Sequence, residues 1–542
     1  MDSRSRRRTF LTHMGGFGAA ALAGAAVPAA SAEPEPAAAF GLSARQRRRL
    51  KAVEIRQRAA LRLLRQPLAN HPDNGDEARY ANRIGSYSKC LPHDARGEVD
   101  GAAYGRLLDA LRNGRAADFE AIPLGGTVKL ANPQAAYTFD LEGLDSHDFT
   151  LLVPPAFSSA WEGSEMAELY WQALTRDVPF AQYEADPLIA RAAADLSRFS
   201  DFRGPKQGGA VTPGTLFRGE TPGDLAGPYI SQFLWKDAAF GSTTIVQRYR
   251  TAVAGDDHLT SFDDCVARQR GIPPSTGNTM DPTPRYLRNG RDLGEWLHRD
   301  FTYQGFLAAA LILLGFGPAA LDAGSPYLTS ATQGGFINFG GPHILDLVAR
   351  VANAALRAAW YQKWLVHRRV RPEAYGVKVH AHLTGLVRYP IHAELLGSDA
   401  IASVFSARGT YLLPMAYPEG CPTHPAYPAG HAAIAGAGVT VLKAFFKESF
   451  VIPAPIVASA DGLSLLPYSG APLTVGGELN KLAANVALGR DTAGVHWRTD
   501  GVEGLRLGEA VAIGVLRDLK TTFTETFDGF SLTRFDGTTV TI

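Results

Sequence analysis

The sequence predicts a mainly α-helical protein with a few short strands and a C-terminal β-hairpin. Three observations predict it. The second half of the chain holds long segments that read as helices, at 342–370, 430–447, 477–488 and 495–520. Strand-like runs are short and set between turn residues. Finally, Phe530–Phe535 and Thr538–Ile542 flank Asp536-Gly537, the signature of a hairpin turn.

In chain order, residues 43–66 read as a basic amphipathic helix ending near Pro67. Between 126 and 156, Thr127–Leu130 and Phe149–Val153 read as strands. Ala and Leu restore helical periodicity over 160–199, and the Gly- and Pro-rich stretch 201–230 reads as loop. Gly305 to Phe316 is strongly apolar but spans only about three turns, which suits a core helix and is too short for a membrane span. The helix over 342–370 is expected to close at Arg371, because the residue before Pro372 avoids the α region.

The chain has 542 residues, 46% hydrophobic and 20% charged, with a formal net charge of +1. That balance speaks against a nucleic-acid or membrane-surface partner. The N-terminus reads as a targeting segment. Arg6-Arg7-Arg8-Thr9-Phe10-Leu11 resembles a twin-arginine export signal, 15–30 is a short apolar run, and Ala30-Ser31-Ala32 offers a cleavage site before Glu33. The expected layout is a signal peptide over 1–32, a linker over 33–42, and one large helical domain over 43–542 with its active half at about 340–520. The mature protein is expected outside a bacterial cell. There, Cys90, Cys265 and Cys421 permit one disulfide and leave one thiol.

Three segments carry chemistry. The first runs from Lys363 to Glu373, the second is Tyr427-Pro428-Ala429-Gly430-His431, and the third runs from Gly489 to Asp500. Lys363 gives a point charge with three donors, while Arg371 and Arg490 give planar forks that match pairs of oxygens. A helix beginning at Gly430 adds backbone N–H groups and the positive end of its dipole, and the missing side chain lets an anion approach. On an ideal helix Lys363 and Arg371 lie about 80° apart, close enough to converge. His496 and Asp500, four apart, share a helix face, and Arg490 is expected in a turn begun by Gly489. This is an inventory for holding a tetrahedral oxyanion.

These ordered segments resemble the signature of vanadium-dependent haloperoxidases and of their relatives, the type 2 phosphatidic acid phosphatases. Lys-Trp-x-Val-His-Arg at 363–368, Gly-Val-His-Trp at 494–497 and the Lys-to-Arg spacing of eight look like the bromoperoxidase branch. Lys89–Asp94 and Gly227–Phe233 are weaker echoes of the same group. The resemblance implies a helix-bundle fold and a vanadate cofactor held by Lys363, Arg371, Gly430, Arg490 and His496. His496 would bond vanadium and His431 would act as general acid/base. It further implies hydrogen peroxide, a halide (bromide first) and a small organic molecule as reaction partners, and a homo-oligomer of at least two chains. His424, seven before His431, and Trp360, one turn before Lys363, would line the approach of halide or organic substrate. Asp500 would pair with a motif arginine or orient its helix, and His367 would serve packing or support the residues that touch the anion. One position departs: the family reads Pro-Ser-Gly-His where this chain has Ala429. A lost hydrogen bond to a charged group is worth about 1.5–3 kcal/mol, roughly ten- to a hundredfold in affinity.

The same residues admit an acid phosphatase, with His496 attacking phosphorus and His431 protonating the leaving group. They also admit a homologue that has lost halogenation and keeps only oxyanion binding or a structural role. The bromoperoxidase-like motif details and His424 favour the peroxidase.

Overall fold

A computed structural model describes residues 41–542. The signal segment and most of the linker fall outside the described residues. The chain divides into two compact units, 1–60 and 61–542. Residues 41–60, the described part of the first, hold most of the helix Ala44–Arg65 (α1), which has no buried residue.

The second unit is built from helices. Those of eight residues or more are Gly101–Asn113 (α2), Ala160–Thr175 (α3), Pro187–Leu196 (α4), Phe262–Gln269 (α5), Gly290–Arg299 (α6), Gln304–Gly315 (α7), Gly341–Tyr361 (α8), Pro372–Leu383 (α9), Asp399–Arg408 (α10), Gly430–Phe445 (α11), Val475–Thr492 (α12) and Arg498–Lys520 (α13). Three antiparallel two-stranded ribbons decorate them: Ala238–Phe240 with Thr243–Ile245, Ile456–Ala458 with Leu465–Pro467, and Ser531–Thr533 with Thr539–Thr541. The last is the C-terminal hairpin expected from Asp536-Gly537.

At the centre α11 packs against α13, α8 and α12. Its sequence, rich in Ala and Gly, is buried almost throughout. Closeness to α13 depends on missing side chains. A methyl on Gly436 would collide with the Leu505 carbonyl, and one on Gly508 with that of Ala433. This contact matters because α11 starts at the second motif and α13 follows the third. Around it, Phe306, Ile344, Leu347, Val351, Leu442 and Leu479 belong to one continuous apolar core.

Several expectations need correction. Thr127–Leu130 and Phe149–Val153 form no strand. The N–H groups of Thr127 and Val128 both donate to the Gly271 carbonyl, so the first run is extended but has no ladder to join. The span 160–199 is two helices, because Asp186 caps a new helix whose first residue is Pro187. The helix expected over 342–370 ends earlier. Beyond Tyr361 it widens into a π-helical turn, Gln362–His367, in which Arg368 N–H donates to the Lys363 carbonyl at 3.0 Å. Arg368 then turns left-handed (φ 42°), held by a fork onto Glu77 at 2.8 and 2.6 Å. Residues after it run extended against Gly85–Tyr87, and Arg371 sits just ahead of α9. Tertiary pairing thus overrides helix propensity. The cysteines form no disulfide: all three are buried free thiols. The helices α2, α5, α6, α9 and α10 had no expectation attached.

Candidate functional site

The three motifs meet, by a route other than the expected one. Lys363 and Arg371 do not share a helix. Lys363 lies in the π turn and Arg371 at the start of α9, with an extended link between them. Both reach the segment that leads into α11. Lys363 Nζ donates to the carbonyls of Pro425 and Ala426 at 2.8 and 2.7 Å. Arg371 Nε donates to the His424 carbonyl at 2.9 Å, and Nη1 to the Val495 carbonyl at 2.6 Å. One ammonium proton of Lys363 stays unspent.

Arg490 lies in the last turn of α12, not in a turn begun by Gly489. Gly489 instead lets α12 press against Leu293 and Leu297 of α6, and Arg490 Nη1 donates to the Leu297 carbonyl at 2.7 Å. Tyr417 adds its hydroxyl at 3.2 Å and its ring face, 5.4 Å from the guanidinium. Arg490 Nε is buried with no partner. The turn out of α12 needs Gly494, whose φ of 81° is a left-handed conformation. It delivers Val495 and His496 back toward Arg371.

His496 precedes α13 and does not lie on it, so the shared helix face with Asp500 is also corrected. The link between the two survives. Asp500 is the third residue of α13, and its carboxylate accepts from His496 Nδ1 at 2.8 Å and from Trp497 N–H at 3.1 Å. Its other oxygen pairs with Arg369 at 2.9 Å, and its carbonyl accepts from Ala429 N–H at 2.8 Å. Asp500 therefore touches all three motifs. His496 Nε2 lies 3.0 Å from Arg371 Nη1. A guanidinium only donates, so Nε2 carries the lone pair and the proton sits on Nδ1, facing Asp500. Burial, then the charges of Arg371, Lys363 and Arg490, pushes the His496 imidazole well below its usual range. The ring is neutral with a free lone pair, the form that ligates a metal.

Lys363, Arg371 and Arg490 are 0%, 1% and 5% exposed. Among the described residues no carboxylate oxygen lies within 4 Å of any of them. Their buried neighbours differ: Arg369 pairs with Glu162, Glu165 and Asp500, Arg498 with Glu168, and Arg176 with Asp257. Burial, and next the charge of Arg371, holds Lys363 well below the ordinary lysine range. Three desolvated cations without an anion are costly unless an anion completes them. The start of α11 is also open: Ala429 caps it with no side-chain hydrogen bond, so its first amides are unsatisfied donors. A tetrahedral oxyanion fits this donor set.

His431, one residue into α11, is partly exposed, and its Nε2 lies 3.1 Å from Asp300 Oδ1. The ring of Trp360 packs on His424 at 4.7 Å between centroids, and its edge lies 3.6 Å from where a Cβ on Gly430 would stand. His424 in turn places Nδ1 3.0 Å from Arg371 Nη2. His367 is half-buried, edge-on to Tyr427 at 4.8 Å between ring centroids. Sequence reasoning missed Asp300, Tyr417 and the role of Arg369. Arg369 stood inside the first motif and was legible there; Asp300 and Tyr417 come from distant segments with no motif of their own. The two weaker echoes prove to be buttresses. Lys89 binds Glu373 at 3.0 Å and the Glu419 and Cys421 carbonyls at 2.7 Å, steadying the loop that leads to His424. Ser231 and Gln232 dock onto Asn485 and Glu478 of α12 at 2.8 Å.

This fold and site define a helical receptor for a tetrahedral oxyanion. The family described as VCPO second helical-bundle domain matches residues 344–525. A vanadium-dependent bromoperoxidase of Ascophyllum nodosum is 37% identical, over 81% of this chain and 83% of its own length. That of Corallina pilulifera is 35% identical, over 86% and 94%. The homohexameric structure of the second vanadate-dependent bromoperoxidase (AnII) of Ascophyllum nodosum superposes with a TM-score of 0.87 at 31% identity, over 95% of this chain and 93% of that one. The chain belongs to the vanadium-dependent bromoperoxidase family.

Proposed function

We propose that this protein binds vanadate in the pocket described and uses hydrogen peroxide to oxidise bromide to a hypobromous-acid equivalent, which halogenates organic molecules. The observation that carries the reading is the trio of buried, carboxylate-free cations around the lone pair of His496. Lys363, Arg371, Arg490 and the first amides of α11 would hold the oxygens, and His496 Nε2 would bond the metal. Bound vanadate supplies Lewis acidity, which makes peroxide oxygen electrophilic without a change of metal oxidation state.

The protein does the rest. Lys363 offers its unspent N–H and its charge to developing negative charge on oxygen. Arg371, released from His496 Nε2, keeps a donor for the same oxygens. His431, oriented by Asp300, takes the proton of incoming peroxide and returns it to the departing oxygen. His424 and Trp360 flank the approach. Asp500 keeps the proton of His496 on Nδ1, so the bonding nitrogen stays bare.

A homo-oligomer fits the homohexameric AnII relative, and twin-arginine export fits Arg6–Leu11. The test of the whole reading is reconstitution with vanadate, then bromination of a diketone dye with peroxide and each halide. A parallel sample without vanadate receives p-nitrophenyl phosphate. Bromination that disappears in His496→Ala is the expected result. Phosphate-ester hydrolysis alone would overturn the reading, and silence in both arms would leave an oxyanion binder without turnover.

A further inference from the structure

The helix α1 carries apolar residues on two opposite sides. Ala52, Ile55, Ala59 and Leu63 recur at every third or fourth position and are half-buried. At about 100° per residue, Leu50, Val53, Leu61 and Leu64 fall within about 80° of arc on the other side. All four are exposed. The apolar surface continues past the helix. Leu68, Leu141 and Leu152 are exposed as well, and two links draw their segments together. Asp518 accepts from Arg62 of α1 at 2.6 Å through one oxygen and from Gly143 N–H at 2.8 Å through the other. The Thr150 hydroxyl donates to the Asn70 carbonyl at 3.0 Å. Leu64 and Leu68 are 79% exposed and Leu141 is 99%. Three segments thus offer apolar surface side by side, where scattered single leucines would need no explanation.

Charge narrows what can cover this surface. Residues 44–65 hold nine Lys and Arg against one acid, Glu54, a formal net charge of +8. Glu54 is already taken by Lys51 and Arg58 of the same helix. Arg47 and Arg65 lie along one edge of the stripe, and Arg49 and Arg56 along the other. An apolar strip with a charged rim is the build of a protein interface. Residues 66–542 hold 41 Lys and Arg against 49 Asp and Glu, a net of −8. The chain is nearly neutral only because one basic helix balances a large acidic body. A second α1 would repel the first. An anionic bilayer would attract α1 and repel the body. The acidic body of another copy is complementary to α1.

We infer that α1 and the leucines beside it form the surface by which this chain docks on the acidic body of a second copy. Covering Leu50, Val53, Leu61 and Leu64 drives the association, and the flanking arginines set its charge preference. The inference rests on the homo-oligomer proposed above and names a surface for it. It needs no oxyanion in the pocket. Because opposite net charges attract here, assembly loosens as salt rises.

Sedimentation velocity on the full chain, over a range of protein concentrations and from about 50 to about 500 mM NaCl, reads the assembly. Leu61→Asp/Leu64→Asp breaks the stripe, and Arg49→Glu/Arg56→Glu reverses one edge of its rim. All four side chains are exposed, and circular dichroism checks that both variants fold. A multimer at low salt is expected, with a dissociation constant at least tenfold higher at high salt and in each folded variant. A constant unchanged in either folded variant, or indifferent to salt, overturns the inference and leaves the homo-oligomer on another surface. A single-chain mass under every condition overturns both. The same proteins are spun with vesicles of phosphatidylglycerol and phosphatidylcholine. If a single-chain natural protein sediments with them and Leu61→Asp/Leu64→Asp does not, the stripe takes lipid and the docking on a second copy is overturned.

Discussion

Ala429 is the residue at which this site departs from its family pattern, and the structure gives the departure a place. It is fully buried at the mouth of α11, with its N–H tied to the Asp500 carbonyl and no hydroxyl to offer. Ala429→Ser should tighten vanadate binding by roughly tenfold or more, the worth of one hydrogen bond to a charged group. Equilibrium titration of vanadate against both proteins checks this; an unchanged Kd would mean that the hydroxyl does not reach the anion. A second residue-scale expectation concerns His298. Its ring stacks on Tyr417 at 3.9 Å and bonds Glu295 and Glu419 at 3.3 and 2.6 Å. Burial opposes its charge, but the two carboxylates outweigh it and raise its pKa above the ordinary 6.5, while both partners fall below their ordinary 4.5. The raised histidine contributes stability that is full below pH 6.5 and lost as pH rises through its folded value. The lowered carboxylates contribute stability that is full above pH 4.5 and lost as pH falls through theirs. Melting temperatures of the natural protein and His298→Gln should therefore differ most between about pH 5 and 6 and converge as pH rises past the raised pKa of His298.

Among elements, the pairing of α11 with α13 sets the site's dimensions, because each helix begins at a motif. The approach is steric, with backbone against backbone, so a side chain cannot simply rotate away. Gly508→Ala should cost about 1–3 kcal/mol through overpacking. It should also weaken vanadate binding, since parting the helices moves Ala429 and Gly430 away from His496. Urea denaturation measures the first effect and vanadate titration the second; a stable variant with intact affinity would show that the helices tolerate separation. Element geometry is also where the sequence was least legible. The starts and ends of α7 and α11 lay in plain apolar periodicity and glycine placement. The π turn at Lys363 did not, because it depends on Arg368 meeting Glu77 from almost 300 positions away. Lys363 and Arg371 do reach the same segment, yet not by the ideal-helix argument, which the chain does not follow. The motif order pointed to residues that the fold brings together because it reflects tertiary neighbourhood, whatever backbone path links its members.

For the whole molecule, the site draws on segments from Lys89 to Asp500, and a large apolar core binds the motif-bearing helices into one unit. Composition made the helical class legible. It could not show that separate buttresses, at Lys89 and at Ser231-Gln232, fix the loop and helix that present His424 and Arg490. Assembly is an expectation at this scale too. Light scattering of the purified protein should give a multiple of the 58.0 kDa full-chain mass, less any removed leader; a single-chain mass would separate this protein from its homohexameric relative.

The carboxylate-free cations have a practical corollary at the bench. A folded chain with three unneutralised buried charges is under electrostatic load, and any tetrahedral oxyanion in the medium relieves it. Phosphate buffer should then act as a disguised ligand: it would protect the protein on heating by mass action while keeping vanadate out. A preparation purified in phosphate would look robust and inert, and the same chain moved to a zwitterionic buffer would look fragile until vanadate is supplied.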